Sequence, residues 1–165
     1  MSATTGGSDF LIVVDSREQR PWTFTGPTTT GTLQVGDYSV FGAEDMIAVE
    51  RKSGVDLAGS LTRGRERFER ELARARALQF FRVIVECSLS AFVKGDYHGR
   101  VSAANPKALF ESVSALSVRF NTAFLFCDTP TLAAKLCESL LSKWLYEHRR
   151  WIAAVERAAR KAVAA

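Results

Sequence analysis

The sequence predicts an α/β domain in which helices pack over a central mixed sheet. Short apolar runs have the length and composition of buried strands: residues 10–14, 80–87 and 122–127. Two sites, Asn105-Pro106 and Thr129-Pro130, are typical of helix starts, because the polar side chain caps the helix and proline suits its first turn. The elements follow in the order strand, strand, strand, helix, strand, helix, strand, helix, which is the pattern of a layered fold.

The N-terminal part is expected to supply three strands. Residues 10–14 form a strand that runs into Asp15, and the Thr-, Gly- and Pro-rich residues 23–31 form a loop. Two neighbouring strands follow at residues 33–41 and 46–50. Because only a tight connection separates them, these two strands are predicted to lie side by side.

The apolar pattern then becomes helical. Residues 55–61 predict a short helical turn, and residues 65–78 predict a full helix. That helix carries Phe68, Leu72 and Ala75 on one face, which is the face expected to pack on the sheet.

The second half predicts two more strands and two more helices. Residues 80–87 form a strand, and residues 88–104, with Gly, Asp, His and Ser, form an exposed excursion. A helix starts at Asn105, a last strand covers residues 122–127, and another helix starts at Thr129. Apolar residues recur at helical spacing in both helices: Leu109, Val113, Leu116, Phe120, and then Leu132, Leu136, Leu140 and Trp144.

Composition indicates a globular protein with a weak preference for polyanions. Hydrophobic residues make up 47% and charged residues 24%, and the net charge is +4 with a pI near 9.2. No apolar run approaches the roughly 20 residues of a membrane helix, and the first residues do not form a signal peptide. Three cysteines without a Cys-x-x-Cys pair argue against a disulfide framework and a zinc site. We therefore expect a cytoplasmic protein with no membrane partner.

The chain divides into three predicted parts. Residues 1–9 are small and polar and predict a disordered leader. Residues 10–147 contain one core without an internal linker, and residues 148–165 form a basic, Ala-rich helical tail. The arginines of the tail either bind DNA or solvate a terminal helix, and the sequence leaves both open.

Charged residues interrupt the strands in three segments: Val14-Asp-Ser-Arg-Glu-Gln19, Gly36-Asp-Tyr38, and Val49-Glu-Arg-Lys52 followed by Asp56. In a strand, Glu50 and Lys52 share one face, so a carboxylate and an ammonium lie together. Mg²⁺ prefers oxygen ligands, and Asp37 and Glu50 supply them if their strands are adjacent. Asp15 and Glu18 are candidates to complete the shell or to hold a second ion. Such an ion would activate water for attack on a phosphodiester.

Each piece is weak alone, since an Asp after Gly is more often a turn residue and Glu-Arg-Lys is more often a solvated charge run. The tripeptide Gly-Asp-Tyr also occurs twice, at residues 36–38 and 95–97. The second copy lies in a polar stretch with no Glu-Arg-Lys behind it, and it is interpreted as a turn.

These motifs, together with Gly59-Ser-Leu-Thr-Arg-Gly-Arg65, resemble the nuclease domain of the XPF-type structure-specific endonucleases. The resemblance runs from about Leu11 to Asp128. It implies a restriction-endonuclease-like fold and Mg²⁺- or Mn²⁺-dependent hydrolysis of branched, flapped or forked DNA. Members from eukaryotes and archaea usually carry a tandem helix-hairpin-helix module, whereas here a short basic segment follows Trp144. This predicts a compact bacterial or phage-encoded, nucleoid-associated form, with a homodimer or a partner protein left open.

The resemblance also assigns roles by motif position. Asp37 and Glu50 are implied metal ligands with Asp15 as a third, and Lys52 is implied to be catalytic. Asp15 and Arg51 are expected to take part in catalysis. Supporting roles are expected for three further residues: Arg17, Glu18 and Asp56.

The predicted helix at residues 65–78 and its approach are rich in arginine. Arg63, Arg67, Arg70 and Arg74 fall on one stripe beside the apolar face. Together with Arg65 they suggest contacts to backbone phosphates, and the alternative is a solvated helix with i,i+4 ion pairs. We expect Arg63 and Arg65 to touch DNA near the site, with Arg67 and Arg70 partly structural.

Three further alternatives remain at this stage. Trp22 and Trp151 could stack on unpaired bases, although a core role under a loop is favoured for Trp22. An active nuclease is favoured because every motif carboxylate and the lysine are present. The alternatives are a catalytically silent scaffold that recognises branched DNA and partners an active nuclease, or an interaction domain whose charged strand ends are merely solvated.

Overall fold

The structure is a computed structural model that describes residues 10–97, 100–101 and 104–163. Within these residues there are eight strands and five helices. The strands are β1 (Ile12–Asp15), β2 (Thr28–Gly31), β3 (Tyr38–Val40), β4 (Ile47–Lys52), β5 (Phe80–Val85), β6 (Asp96–Tyr97), β7 (Arg100–Val101) and β8 (Ala123–Phe126). The helices are α1 (Gly54–Ser60), α2 (Arg65–Ala75), α3 (Leu89–Lys94), α4 (Pro106–Phe120) and α5 (Pro130–Val163).

Six strands form one mixed sheet in the order β2-β1-β3-β4-β5-β8. β3 runs antiparallel to both of its neighbours, β1 and β4, whereas β1 and β2 are parallel, as are β4, β5 and β8. The predicted mixed α/β sheet flanked by helices is confirmed.

Two apolar layers enclose the sheet. On one face, α2 and α4 cover β4 and β5 through residues such as Phe68, Leu72 and Leu116, all of which are buried. On the other face, the first turns of α5 bury Cys137 and Leu141 against the sheet. Because side chains alternate along a strand, neighbouring residues of β4 project toward different layers. Glu50 and Lys52 therefore have different surroundings from Arg51, which lies between them.

The predicted helix start at Asn105 is confirmed at the level of its hydrogen bonds. The Asn105 side chain accepts from the N–H groups of Lys107 and Ala108, and Pro106 occupies the first turn. These contacts satisfy donors that have no partner within the helix, so the Asn-Pro pair fixes where α4 begins.

Three expectations for the chain path are corrected. Residues 23–31 are not all loop, because residues 28–31 form the edge strand β2, where β-branched threonines pair with β1. Residues 33–41 contain a strand only from Tyr38 to Val40, since Gly36, with a φ of 78°, turns the chain before it. Residues 88–104 are not simply an exposed excursion, because α3 lies there and buries Phe92.

The predicted tail at residues 148–165 is helical as far as Val163, and it continues α5 without a break at residue 148. The predicted leader at residues 1–9 lies outside the described residues. Among the described helices, none combines the length and the apolar character needed to cross a membrane.

Candidate active site

Two acidic side chains face each other across adjacent strands at one end of the sheet. The pairing of β3 with β4 joins Tyr38 to Val49, and the Asp37 N–H donates to the Val49 carbonyl at 2.9 Å. This register places Asp37 opposite Glu50, and opposite residues project from the same face of a sheet. The structure thus brings together the two carboxylates that the sequence proposed as metal ligands.

Burial makes both carboxylates costly to ionise. It raises the pKa of Asp37 from 3.8 to about 6, and the charges of Glu18 and Glu71 add to the shift. It also raises the pKa of Glu50 well above its ordinary value, with Asp37 and Glu71 acting in the same direction. Like charges in a desolvated site favour any cation that offsets them.

Lys52 supplies one such cation. It shares a sheet face with Glu50, and Lys52 Nζ donates to Glu50 Oε1. The ammonium also lies 5.2 Å from the centre of the Phe68 ring, under α2. Burial alone would lower the pKa of Lys52, but the carboxylate of Glu50 outweighs it and the pKa is raised. Lys52 is therefore protonated at neutral pH, and it donates hydrogen bonds rather than accepting a proton.

The carboxylate of Asp15 accepts hydrogen bonds on both oxygens. Arg17 Nε donates to Oδ1 at 2.7 Å, Arg17 Nη2 donates to Oδ2 at 3.0 Å, and the Leu33 N–H donates to Oδ2 at 2.7 Å. Burial raises the pKa of Asp15, but these hydrogen bonds outweigh it and the pKa is lowered. Asp15 and Arg17 thus hold the segment before β3 against the end of β1.

Among the residues that the structure describes, no three His, Cys, Asp or Glu side chains make a group that could hold a metal ion. Asp37 and Glu50 face each other, whereas Asp15 accepts hydrogen bonds from Arg17 and from the Leu33 N–H. The role of Asp15 as a third metal ligand stays a prediction.

Arg51 projects from the opposite face of β4 to Glu50 and Lys52. Its Nε and Nη2 donate to the two carboxylate oxygens of Glu86 at 2.8 and 3.2 Å. Glu86 follows β5, is buried, and also accepts from Trp22 Nε1. The Arg51 N–H itself donates to Asp37 Oδ2 at 2.8 Å. The Arg51 guanidinium therefore braces the strands around the carboxylate pair instead of pointing at it.

The two predicted supporting carboxylates have local partners. Glu18 Oε1 accepts from Arg51 Nη1 at 3.2 Å and from the Arg20 N–H at 2.7 Å. Asp56 lies in the first turn of α1, where Ser53 Oγ donates to Asp56 Oδ2 at 2.6 Å and accepts from the Asp56 N–H at 3.1 Å. This reciprocal cap fixes the start of α1 beside the carboxylate pair.

An open groove passes over the carboxylate pair. One part is a cleft of about 770 Å³ that contacts Asp37 and Glu71, and the adjoining part contacts Asp37, Glu50 and Lys52. Exposed arginines line the two parts: Arg17, Arg20, Arg63, Arg67 and Arg74.

The other two arginines predicted to bind DNA make ion pairs. Arg65 Nε donates to Glu69 at 2.8 Å and Arg65 Nη1 donates to Ser112 Oγ at 3.1 Å, so this side chain joins α2 to α4. Arg70 Nη1 lies 3.9 Å from Glu66 one turn away on the exposed side of α2. Arg65 therefore makes a structural contact between helices, whereas its neighbours Arg63 and Arg67 line the groove.

The family model described as the ERCC4 domain matches residues 14–140, which include the whole carboxylate site. The chain belongs to the ERCC4-domain family. This confirms the resemblance to XPF-type nuclease domains that the motifs indicated.

Two solved structures similar to this ERCC4 domain are of XPF from Aeropyrum pernix. The first has a TM-score of 0.64 and 25% identity, and the match covers 79% of this chain and 59% of that chain. The second, XPF in complex with DNA, has a TM-score of 0.61 and 24% identity, and the match covers 84% and 66%. The chain thus spans less than two thirds of the first relative. These matches confirm the restriction-endonuclease-like fold. A separate comparison with curated proteins found no match.

Sequence reasoning missed two acidic residues of this ERCC4 domain. Glu86 ends a strongly apolar strand, as Asp15 does, so the same signal was available for it. Glu71 adjoins the apolar stripe of α2 and acts on the ionisation of Asp37 and Glu50. The helical pattern gave no reason to choose Glu71 over the other glutamates of α2.

The favoured core role of Trp22 is confirmed. Its ring stacks on Tyr38 with centroids 4.8 Å apart, and the backbone N–H of Trp22 donates to the Tyr38 hydroxyl oxygen at 3.0 Å. Trp151, in contrast, is 63% exposed on α5.

Proposed function

We propose that the chain is a Mg²⁺- or Mn²⁺-dependent DNA endonuclease that hydrolyses phosphodiester bonds in branched, flapped or forked DNA. The observation that carries the proposal is the pair Asp37 and Glu50, opposed on adjacent strands, with Lys52 beside them in an open groove. Membership of the ERCC4-domain family supports a nuclease role for this site.

The donor set suits a hard divalent cation. Asp37 and Glu50 offer carboxylate oxygens, and burial raises the pKa of both, so a bound cation would favour their ionised forms. Mg²⁺ commonly binds through one or two carboxylates and completes its shell with water and substrate phosphate. Asp37 and Glu50 would hold the ion. When bound, it lowers the pKa of a water molecule and offsets charge on the phosphate oxygens.

Besides the metal ion, the reaction needs stabilisation of negative charge and binding of the DNA backbone, and we assign these to Lys52 and to the arginines. The protonated Lys52 donates toward the same site and stabilises negative charge that develops during phosphodiester attack. Four of the exposed arginines along the groove are proposed to bind backbone phosphates on either side of the scissile bond: Arg17, Arg63, Arg67 and Arg74. Binding through them should be sequence-independent and should weaken as salt rises.

The branched form of the substrate is proposed from the motif resemblance. DNA as the substrate is supported as well by one similar structure, XPF from Aeropyrum pernix in complex with DNA. The proposed setting is the nucleoid in a bacterial cytoplasm, or phage DNA within it. We propose Asp15 and Arg51 as positioning residues, since their side chains brace the strands that carry the carboxylates.

The test is cleavage of end-labelled flap, fork, four-way-junction and linear duplex DNA with Mg²⁺, Mn²⁺ or EDTA. The wild-type chain is compared with Glu50→Gln, which keeps the shape of the side chain and removes its charge. We expect metal-dependent cutting near branch points that the variant loses. Tight DNA binding without cutting of any substrate would instead favour the silent scaffold. Absence of both binding and cutting would favour an interaction domain.

A further inference from the structure

One buried carboxylate, that of Glu86, connects the loop between β1 and β2 to the strand that carries the candidate catalytic residues. Glu86 directly follows β5 and is 6% exposed, and its N–H donates to the Lys52 carbonyl at 2.8 Å. It is not part of the cluster formed by Asp37, Glu50 and Lys52. A buried carboxylate is costly unless its oxygens accept hydrogen bonds, so the donors around Glu86 show which segments it holds in place.

Glu86 accepts from two side chains that come from different parts of the chain. Arg51 Nε donates to Oε1 at 2.8 Å and Arg51 Nη2 donates to Oε2 at 3.2 Å, which is the fork geometry of a charge-assisted pair. Trp22 Nε1 also donates to Oε1. Arg51 belongs to β4, whereas Trp22 belongs to the β1–β2 loop, residues 16–27. One carboxylate therefore holds both segments at once.

Both connections lead on to Asp37 and its neighbour. The Arg51 N–H donates to Asp37 Oδ2 at 2.8 Å, so the position of Arg51 sets the orientation of this carboxylate. The Trp22 N–H donates to the hydroxyl oxygen of Tyr38 at 3.0 Å, and the Trp22 ring stacks on the Tyr38 ring. Tyr38 directly follows Asp37 and begins β3. Glu86 thus reaches Asp37 through Arg51, and it reaches the next residue through Trp22.

We propose that Glu86 is a positioning residue for the phosphodiester hydrolysis: through Arg51 and Trp22 it fixes the Asp37 carboxylate in the orientation that binds the divalent cation. The inference rests on the proposed function and adds a residue to it. Groups that orient metal ligands typically change metal affinity or activity by roughly ten- to a hundredfold when they are removed. The contribution of Glu86 should therefore be measurable in metal binding itself.

The role requires the negative charge of Glu86 and not only its size. In Glu86→Gln, one carboxylate oxygen becomes an amide NH₂ group, which donates hydrogen bonds and cannot accept them. Each oxygen of Glu86 accepts from Arg51, so the amide would face an Arg51 N–H whichever oxygen it replaces. Glutamine fills nearly the same volume. The variant therefore breaks the fork while it keeps the packing.

Glu138 provides a matched control, because it holds the same loop from a different element. It lies on α5, and its carboxylate accepts from the N–H groups of Thr25 and Gly26 at 3.0 and 2.7 Å and from the Thr25 hydroxyl at 2.7 Å. These hydrogen bonds reach the loop and not β4. Glu138→Gln should therefore loosen the β1–β2 loop without releasing Arg51.

The first experiment measures Mn²⁺ binding to the full chain without DNA, with free Mn²⁺ followed by electron paramagnetic resonance. We expect Glu86→Gln to raise the Mn²⁺ dissociation constant by about tenfold or more, and Glu138→Gln to leave it within about twofold. Arg51→Lys keeps the positive charge but loses the fork, so it should weaken Mn²⁺ binding to a similar degree. This second variant carries the test if Glu86→Gln does not fold.

The second experiment asks whether Glu86 acts through Arg51. The Mn²⁺ dissociation constants of the wild-type chain, Glu86→Gln, Arg51→Lys and the double variant form a cycle that separates coupled from independent effects. We expect the double variant to bind Mn²⁺ little more weakly than either single variant, because each single change already breaks the fork. Losses that multiply in the double variant would overturn the route through Arg51.

The outcomes also separate this inference from the proposed function. Mn²⁺ affinity equal to that of the wild-type chain in Glu86→Gln, or in Arg51→Lys, would overturn the role of Glu86 and leave the proposed function standing. Equal losses in Glu86→Gln and Glu138→Gln would overturn it as well, because loosening of the loop would then explain both. A wild-type chain that binds no Mn²⁺ would overturn the metal-dependent function and this inference together.

Discussion

The tripeptide Gly-Asp-Tyr occurs at residues 36–38 and again at residues 95–97, and its two copies have different roles. In both, the glycine adopts a positive φ, 78° at Gly36 and 71° at Gly95. In both, the tyrosine is buried. The backbone of each copy is therefore dictated by its own residues, because glycine accepts this conformation at little cost and an aromatic ring gains from burial.

The neighbours of the aspartate make the difference. Asp37 lies opposite Glu50 on β4, and burial raises its pKa to about 6. Asp96 follows the glycine that ends α3, pairs with β7 in a two-residue strand, and is exposed. The same three residues thus form part of a candidate catalytic centre in one place. In the other, the glycine ends α3 and Asp96 and Tyr97 form the short strand β6, so the expected turn is corrected there. The chemistry comes from β4, whose charged residues at positions 50–52 have no counterpart beside the second copy.

Exchange of each aspartate for asparagine tests this difference most directly. Asp37→Asn should reduce DNA cleavage roughly a thousandfold, because it removes one of the two proposed metal ligands. Asp96→Asn should leave the rate within about twofold, the scatter expected of a surface substitution. The measurement is the single-turnover rate on the best substrate of the panel. Equal losses in the two variants would show that the tripeptide, and not its setting, carries the function.

Lysines near each copy provide the next comparison. Lys52→Ala should slow cleavage roughly a hundredfold, since its ammonium lies at the carboxylate pair, while DNA affinity changes little. Lys94→Ala, at the end of α3 just before the second copy, should change neither quantity. Cleavage rate and fluorescence anisotropy together separate the two effects. Undiminished turnover in Lys52→Ala would remove the role assigned to this lysine.

The sequence predicted the Asp37, Glu50 and Lys52 cluster because the necessary rules are local. Alternation along β4 puts Glu50 and Lys52 on one face, and a short connection makes β3 and β4 neighbours. The orientations of Asp15 and Arg51 were not accessible in this way. Their partners, the Leu33 N–H and Glu86, lie 18 and 35 residues away in sequence, on segments whose approach depends on the folded sheet.

The secondary-structure predictions also succeeded where local sequence rules apply and failed where they do not. The apolar strands and the Asn-Pro helix start were predicted because burial and capping leave marks in composition. The edge strand at residues 28–31 has an alternating exposed and partly buried pattern, and its Thr-rich sequence is also common in loops. α3 was missed because Ser88 caps it within a stretch that otherwise contains turn residues, and it ends at Gly95 after six residues.

The glycines of the two copies, Gly36 and Gly95, are expected to differ in how much their replacement lowers the free energy of unfolding. A Cβ at Gly36 would approach the Ala48 Cβ at 2.9 Å and the Val49 carbonyl oxygen at 3.1 Å, whereas a Cβ at Gly95 would meet the Pro106 side chain at 3.0 Å. Alanine would be strained by the positive φ at both positions. At Gly36 it would also press on the backbone of β4, which is held in the sheet and cannot shift easily. We expect Gly36→Ala to lower the free energy of unfolding by about 3 kcal/mol and Gly95→Ala by about 1 to 2 kcal/mol. Urea denaturation followed by tryptophan fluorescence measures both, and a larger loss for Gly95→Ala would contradict the assignment.

The pH dependence of unfolding provides the last comparison of the two copies. Because the pKa of Asp37 rises from 3.8 to about 6 on folding, the folded chain holds a proton that the unfolded chain has lost between these values. Stability should therefore fall as pH increases from about 4 to about 6, and the cost, about 3 kcal/mol, should persist at higher pH. Asp37→Asn removes this group, so it should match wild type near pH 4 and exceed its free energy of unfolding at pH 8. Asp96→Asn is the matched control at the second copy. If Asp37→Asn proves less stable than wild type at pH 8, the buried carboxylate is stabilised by its neighbours, and the desolvation cost attributed to Asp37 is absent.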